Sequence, residues 1–231
     1  MLSSISVITL AYNEETTIDH VVRETARVVE RLCQRHEIIV VDDGSTDATG
    51  RIAEEIAADL PQVRVVRHES NRGIGAGMIT GLGQVRHDYV TYVAGDGQFP
   101  PAILEQFAAS MAGADGVIGK YRSRPGGVGR RLLSFVWRKM LIRGMFGRFA
   151  MADGNYMFWR GLLDSIQLGT RTQACDIEFF YKAARLGFTF NEVYIDIIPR
   201  SEGRSKVVGP RNVIQVLREM LALRIRLAAE R

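Results

Sequence analysis

Several clusters of polar side chains have the types and spacing that chemistry requires. Val41-Asp42-Asp43-Gly44-Ser45-Thr46-Asp47 packs three carboxylates into seven residues. Beyond the end of a strand, such carboxylates accept hydrogen bonds from a nucleobase or a ribose; in the plainer use, Asp43 shapes a turn and Asp47 complements a helix dipole. Asp96 sits between glycines in Gly95-Asp96-Gly97-Gln98-Phe99-Pro100-Pro101. One use is to hold a hard divalent cation, which takes carboxylate oxygen together with substrate phosphate oxygens; the other is to cap the helix that follows. Asp176 and Glu178 open a helix, where Asp176 either complements the dipole or serves as a general base. Arg200-Ser201-Glu202-Gly203-Arg204-Ser205-Lys206 puts three cations in a glycine-containing loop. It is either a solvated loop or a grip on a diphosphate, with arginine binding in bidentate fashion and lysine as a point charge.

Other patterns point away from chemistry. Asn71-Arg72-Gly73-Ile74-Gly75-Ala76-Gly77 is glycine-rich before a helix, but the third glycine of a dinucleotide fingerprint falls on Met78. Close helix–sheet packing is the better use of these glycines, with Asn71 in reach of a ligand. His20, His36, His68 and His87 have no ligand spacing and read as surface residues. Trp137 and Trp159 read as core or interface aromatics. There is no Gly-x-Ser-x-Gly elbow and no Walker lysine.

Alternating strands and helices position these groups. Ile5–Leu10, Glu37–Asp42, Val63–Arg67 and Tyr89–Ala94 read as strands, with Val117–Gly119 a short fifth. Helices are expected over Glu15–Arg35, Asp47–Leu60 and Gly73–Val85, and another opens at Pro100. This order implies an α/β fold, a mostly parallel sheet flanked by helices on both faces, with ligands beyond the carboxyl ends of its strands. In the second half, Gly154–Trp159 and Thr189–Ile197 read as strands, Asp176–Leu186 and Pro210–Leu227 as helices, and Arg130–Phe149 as a basic amphipathic helical segment. No repeat or linker divides the chain, so residues 1–231 read as a single domain.

The bulk composition is globular: 231 residues, 46% hydrophobic and 24% charged. Two cysteines, Cys33 and Cys175, allow no disulfide framework and make the cytoplasm the expected compartment. Neither a signal peptide nor a membrane-spanning segment is expected. The net charge of +4 is uneven: between Gly116 and Ala152 there is no Asp or Glu, while nine of the chain's 30 cations lie there. A cationic stretch on a slightly acidic body expects an anionic partner. Arg130–Phe149 interleaves its cations with Leu, Phe, Val and Trp, which suits a bilayer interface or a core-facing helix better than nucleic acid.

Taken together, these loops resemble the family-2 inverting glycosyltransferases of the GT-A fold, and among them most closely the dolichol- or polyprenyl-phosphate sugar synthases. The resemblance runs from about Ser6 to about Lys206. It rests on Ala11-Tyr12-Asn13-Glu14, the Asp42–Asp47 motif, Asn71-x-Gly73-x-Gly75, Asp96-x-Gln98-x-Pro100-Pro101 and Arg200-x-x-Gly203-x-Ser205-Lys206. It implies a nucleotide-sugar-binding half (1–119) and an acceptor half (120–231). By resemblance Ala11, Tyr12, Asn13, Glu14, Asp42, Asp43 and Asn71 line the donor pocket. Asp96 and Gln98 hold Mg2+ or Mn2+ on the donor diphosphate, Arg200 and Lys206 neutralise its phosphates, and Arg130 and Ser134 resemble the acceptor-phosphate site. Two positions depart from the family. Ala94 stands where the first Asp of the metal motif belongs, so the metal loses one carboxylate, and Leu10 replaces the usual Pro.

The implied activity is transfer of a hexosyl group, with inversion, from a UDP- or GDP-sugar to a polyprenyl or dolichyl phosphate. Arg200 and Lys206, with Asp96, would then stabilise the departing diphosphate. An anionic acceptor needs no base. A soluble transferase acting on a hydroxyl or amine needs one, and Asp176 lies where related transferases carry theirs. A nucleotide-sugar-binding protein without turnover stays open because of Ala94. Peripheral attachment to the cytoplasmic membrane face goes with the lipid acceptor.

Overall fold

The computed structural model describes residues 2–122, 143–146, 155–170, 172, 174–196 and 210–229. Seven strands form one sheet: β1 (Ser4–Ala11), β2 (Arg35–Asp42), β3 (Val63–Arg67), β4 (Tyr89–Ala94), β5 (Gly116–Tyr121), β6 (Tyr156–Trp159) and β7 (Phe190–Ile195), in the order β3-β2-β1-β4-β6-β5-β7. The described helices are α1 (Ile18–Leu32), α2 (Thr49–Asp59), α3 (Ile74–Leu82), α4 (Ile103–Ala109), α5 (Arg143–Phe146), α6 (Leu162–Ser165), α7 (Ala174–Arg185) and α8 (Pro210–Ala229).

The apolar runs dictate this architecture. Ile38, Ile39, Val40 and Val41 are all fully buried, as a strand covered on both faces demands. Successive side chains divide between two cores. Val7, Ile38 and Val40 face α1 and α4 with Ile18, Val22, Val29 and Phe107. Ile8, Ile39 and Val41 face the opposite way, with Met78, Phe179 and Phe180. A third cluster joins α5, α7 and α8 through Phe146, Ile177, Tyr181, Met220, Leu223 and Leu227.

The strands β3, β2, β1 and β4 are parallel, and their register aligns their carboxyl ends. Arg67 pairs with Asp42, Asp42 with Ala11, and Leu10 with Ala94. Every loop that leaves this edge therefore starts beside its neighbour. The sheet is mostly parallel, as expected; the exception is β6, which runs antiparallel between β4 and β5. Its four residues are apolar enough for a buried strand but carry no signal of direction. Helix α1 starts at Ile18 rather than Glu15, because the Thr17 hydroxyl bonds the carbonyls of Glu14 and Gly95 and ties a turn instead.

Candidate functional site

The loop after β1 is fastened to the loop after β2 at each successive residue. Asn13, in the left-handed region at φ 55°, donates its amide to Ser45 Oγ (2.9 Å) and accepts from the Thr46 amide (2.8 Å). Asparagine tolerates that backbone because its short amide bonds locally. The Glu14 amide donates to Thr49 Oγ1 (2.8 Å), and Glu15 accepts from the Ala48 amide at the start of α2 (2.8 Å). Asp47, read as a dipole partner, caps α2 by accepting from the Thr49 amide and hydroxyl.

The two adjacent aspartates have different surroundings. Asp42 is fully buried; one carboxylate oxygen accepts from the Ser45 amide (2.9 Å). The other lies 3.1 Å from Arg67 Nε, near enough for an ion pair but not aligned as a hydrogen bond. That oxygen is a buried acceptor still lacking an aligned donor, covered by an arginine that is itself 56% exposed. Asp43 spends both oxygens on the protein. It accepts from the amides of Arg72 (2.9 Å) and Gly73 (2.8 Å), and from His68 Nδ1 at 2.7 Å. His68 Nε2 meets the Thr80 hydroxyl at 2.9 Å. His68 is thus buried, not the surface residue expected; its burial depends on Asp43 and Thr80, 25 and 12 positions away. Gly44 completes the junction at φ +73°, where a Cβ would stand 2.4 Å from the Ser70 carbonyl carbon. Only glycine lets the two loops touch backbone to backbone.

Asp96 follows β4 in the same row. The Gly95 amide bonds the Leu10 carbonyl, and Asp96 accepts from the Gln98 amide (3.1 Å). Beyond it, Asp176 opens α7. Its carboxylate is partly buried and accepts from the Tyr156 hydroxyl at 3.0 Å, with Cys175 Sγ at 3.7 Å. Burial pushes its pKa up to about 6, against the pull of Tyr156 and Cys175. Tyr92 on β4 packs its ring 6.3 Å from that of Tyr156. Its own hydroxyl is raised well above the ordinary tyrosine range, first by burial and then by the charges of both Asp96 and Asp176. The two carboxylates therefore act on one buried phenol.

The fold brings Ala11, Tyr12, Asn13, Glu14, Asp42, Asp43, Asn71, Asp96 and Gln98 to one edge of the sheet, with Asp176 joined to them through Tyr92 and Tyr156. Arg130, Ser134, Arg200 and Lys206 lie outside the described residues, as does most of the Arg130–Phe149 segment. Its described end, Phe146, is buried edge-on against Tyr181 at 5.7 Å. Glu178 proves structural: fully buried, it accepts from the amides of Gly169 and Thr170 and pairs with Lys182 (2.8 Å) and Arg226 (3.0 Å). A cavity of about 310 Å³ lies beside that pair, lined by Gly169, Thr170, Ala222 and Arg226 and not by Asp42 or Asp96. Sequence reading missed His68, Thr80, Tyr92 and Tyr156. Only Tyr156 and Tyr92 left a trace there, as phenols inside otherwise aliphatic or aromatic runs. No group of three or more His, Cys, Asp or Glu able to hold a metal occurs among the described residues.

The sequence profile described as "Glycosyl transferase family 2" matches residues 6–164. The chain belongs to that family. This glycosyltransferase is 31% identical over 221 residues to a polyprenol monophosphomannose synthase of Mycolicibacterium smegmatis, covering 88% of this chain and 80% of the relative. It is 29% identical to an undecaprenyl-phosphate mannosyltransferase of Micrococcus luteus, covering 81% and 84%. Some relatives are longer: the match to the dolichol-phosphate mannosyltransferase of Pyrococcus furiosus spans 63% of that protein. Glucosyl-3-phosphoglycerate synthase of Mycobacterium tuberculosis, solved with Mn2+, UDP-glucose and phosphoglyceric acid, superposes with a TM-score of 0.73 at 24% identity, covering 96% of this chain and 80% of that one. The glycosyltransferase has the GT-A fold. Among its described residues no helix is long and apolar enough to cross a membrane.

Proposed function

We propose that this glycosyltransferase moves a hexose, with inversion, from a UDP- or GDP-sugar to a polyprenyl or dolichyl phosphate. The observation that carries the reading is the hydrogen-bonded row of strand-end loops that brings Asp42, Asp96 and their neighbours to one edge. Relatives named for polyprenyl and undecaprenyl phosphates supply the acceptor class. Residues 1–231 act as one domain, with 1–119 holding the donor and 120–231 the acceptor.

In this reading the loop of Ala11, Tyr12, Asn13 and Glu14, with Asp42 and Asn71, receives the nucleoside. The Asp42 oxygen that lacks an aligned donor is suited to a ligand N–H or O–H once Arg67 turns aside. Asp43 shapes this pocket by holding the Arg72–Gly73 backbone. Asp96 with Gln98 offers one carboxylate and one amide to Mg2+ or Mn2+. Ala94 supplies nothing, yet such ions are commonly held by one or two carboxylates together with substrate phosphates. When bound, the cation neutralises charge on the diphosphate. Arg200 and Lys206 do the same from the protein side, so the leaving group departs into positive charge prearranged for it. An acceptor phosphate oxygen forms its bond to the anomeric carbon as the bond to the nucleoside diphosphate breaks on the opposite face. The attacking oxygen is already anionic, so no base is needed; Arg130, Ser134 and the acid-free 116–152 stretch hold it. The enzyme then works peripherally on the cytoplasmic membrane face.

A second reading has specific support. Asp176, partly buried against Tyr156 and titrating near 6, suits a base that takes a proton from a hydroxyl or amine acceptor. The deciding experiment incubates the full chain with a panel of UDP- and GDP-sugars, Mn2+ or EDTA, and a short-chain polyprenyl phosphate. Mass spectrometry should detect one lipid-phosphate sugar. Absence of that product with every donor, alongside transfer to a soluble hydroxyl acceptor, replaces the first reading by the second.

A further inference from the structure

Helix α8 turns one face inward and leaves another exposed. Met220, Leu223 and Leu227 are buried against Ala174, Ile177 and Tyr181. Arg218, Leu221, Ala222, Ile225 and Ala228 are exposed, recurring at i, i+3, i+4, i+7 and i+10 as one face of a helix does. Leu221 is 56% and Ile225 72% exposed, among the most exposed large hydrophobic residues of the described chain. No exposed carboxylate accompanies them on the described side chains of α8. Glu219 is half-buried and accepts from the Thr172 hydroxyl. The cations are different: Arg218 is exposed outright, and Arg226, though paired with Glu178, remains 43% exposed.

We propose that this outer face of α8 docks on an anionic lipid bilayer, with Leu221 and Ile225 entering the headgroup–acyl boundary and Arg218 and Arg226 meeting lipid phosphates. An apolar stripe flanked by cations and free of anions is what such a surface binds. A second copy of the chain fits worse. A two-fold contact sets the same patch against itself, arginine toward arginine, and two exposed side chains fall far short of the roughly 800 Å² per partner of a stable interface. The inference rests on the lipid-acceptor reading and deepens it. Helix α8 is fastened to the acceptor half by Arg226–Glu178 on α7 and by Thr172–Glu219, and α7 opens with Asp176 at the site. A docked α8 holds the mouth of the acceptor half at the lipid surface, where a membrane-borne phosphate stands.

The test is sedimentation of the full chain with vesicles of phosphatidylcholine alone or with 30% phosphatidylglycerol (about a third anionic lipid, an ordinary cytoplasmic charge density). The wild type is compared with the Leu221→Gln/Ile225→Gln double variant. The wild type should bind anionic vesicles, more weakly at 0.5 M salt (on the order of a 4 Å Debye length). The variant should lose at least about tenfold in vesicle affinity. Because both positions are exposed, the melting temperature and the turnover of a short, water-soluble polyprenyl phosphate should stay unchanged. Equal binding by both proteins, or none by the wild type, overturns the surface while leaving the transfer reading intact. A wild-type dimer that becomes monomeric in the variant overturns it in favour of a self-interface. Vesicle binding without sugar transfer from any donor overturns the transfer reading and leaves the surface standing.

Discussion

Two ionisable side chains, the buried His68 and the partly buried Asp176, respond to substitution in opposite ways. His68 is bonded at both ring nitrogens, and because the carboxylate of Asp43 only accepts, Nδ1 must carry its hydrogen. Replacing His68 by Ala removes one of three donors from a buried carboxylate and leaves a hole under α3. The expected cost is about 1–3 kcal/mol by urea unfolding, with weakened nucleotide binding by calorimetry. His68→Asn, which restores a donor near Nδ1, should recover part of both; an unchanged unfolding midpoint in His68→Ala contradicts the lock. Asp176 runs the other way. Its folded pKa, pushed up by burial to about 6, lies above the roughly 3.9 of an unfolded aspartate. Between those values the native chain holds a proton that the unfolded chain has released. Stability therefore falls as pH rises from about 4 to about 6, then levels. Asp176→Asn should leave the melting temperature unchanged near pH 4 and raise it above pH 6, by at most about 2–3 kcal/mol of stability. The same variant separates the two chemistries. Transfer to a lipid phosphate should survive it, whereas transfer to a hydroxyl should drop by roughly 10²–10⁴.

At the scale of elements, helix α3 shows how glycine spacing becomes packing. Cβ atoms at Gly77 and Gly81 would stand 3.3 Å from Leu10 Cδ2 and 2.5 Å from Ile8 Cγ2 on β1. The missing side chains let the helix lie directly on the sheet and so fix where its N-terminal loop, with Asn71 to Gly73, meets Asp43. Gly81→Ala should cost about 1–3 kcal/mol through overpacking. Gly83→Ala, whose Cβ would meet only backbone oxygens at 3.5 Å, should be neutral or slightly stabilising. Equal melting temperatures for the two variants would show that α3 has room to spare. The packing use of Gly77 is legible in the sequence, because no dinucleotide pattern accounts for it; Gly81 lies beyond that glycine run, and Gly73, whose Cβ would meet nothing within 4 Å, serves its φ of +86° instead. The parallel strands are legible too: runs such as Ile38–Val41 suit only strands covered on both faces. So were the polar loops that leave them, since the carboxyl ends of parallel strands must all face one edge. The direction of β6 is not legible, because Tyr156–Trp159 specifies burial and leaves pairing to the connections on either side. Nor is the burial of His68, which follows from Asp43 and Thr80, residues 25 and 12 positions away.

At the scale of the whole molecule, a buried carboxylate, Glu178, ties α8 to α7 and to the segment before it. Glu178 gathers the 169–170 backbone, Lys182 from its own helix, and Arg226 from α8. Burial alone raises its pKa, but Lys182 and the Thr170 and Gly169 contacts outweigh that and hold it below the ordinary glutamate range. A depressed folded pKa contributes stability above the unfolded pKa, and that contribution is lost as pH falls through the folded value. The tie between α7 and α8 is thus complete at neutral pH and weakens in acid. Arg226→Ala removes a partner that is itself 43% exposed, and Lys182 remains at 2.8 Å, so the loss should be modest, about 1–2 kcal/mol. The gap between variant and wild type should narrow in acid, as pH falls through the depressed folded pKa and protonated Glu178 no longer needs the arginine. Hydrogen exchange locates the effect. Amides of α8 and of Gly169 and Thr170 should exchange faster in Arg226→Ala, while those of β1 and β2 keep their protection. Uniform acceleration across the sheet would mean that α8 is part of the global fold rather than a separately hinged strut, and would remove the mechanical link between its outer face and Asp176.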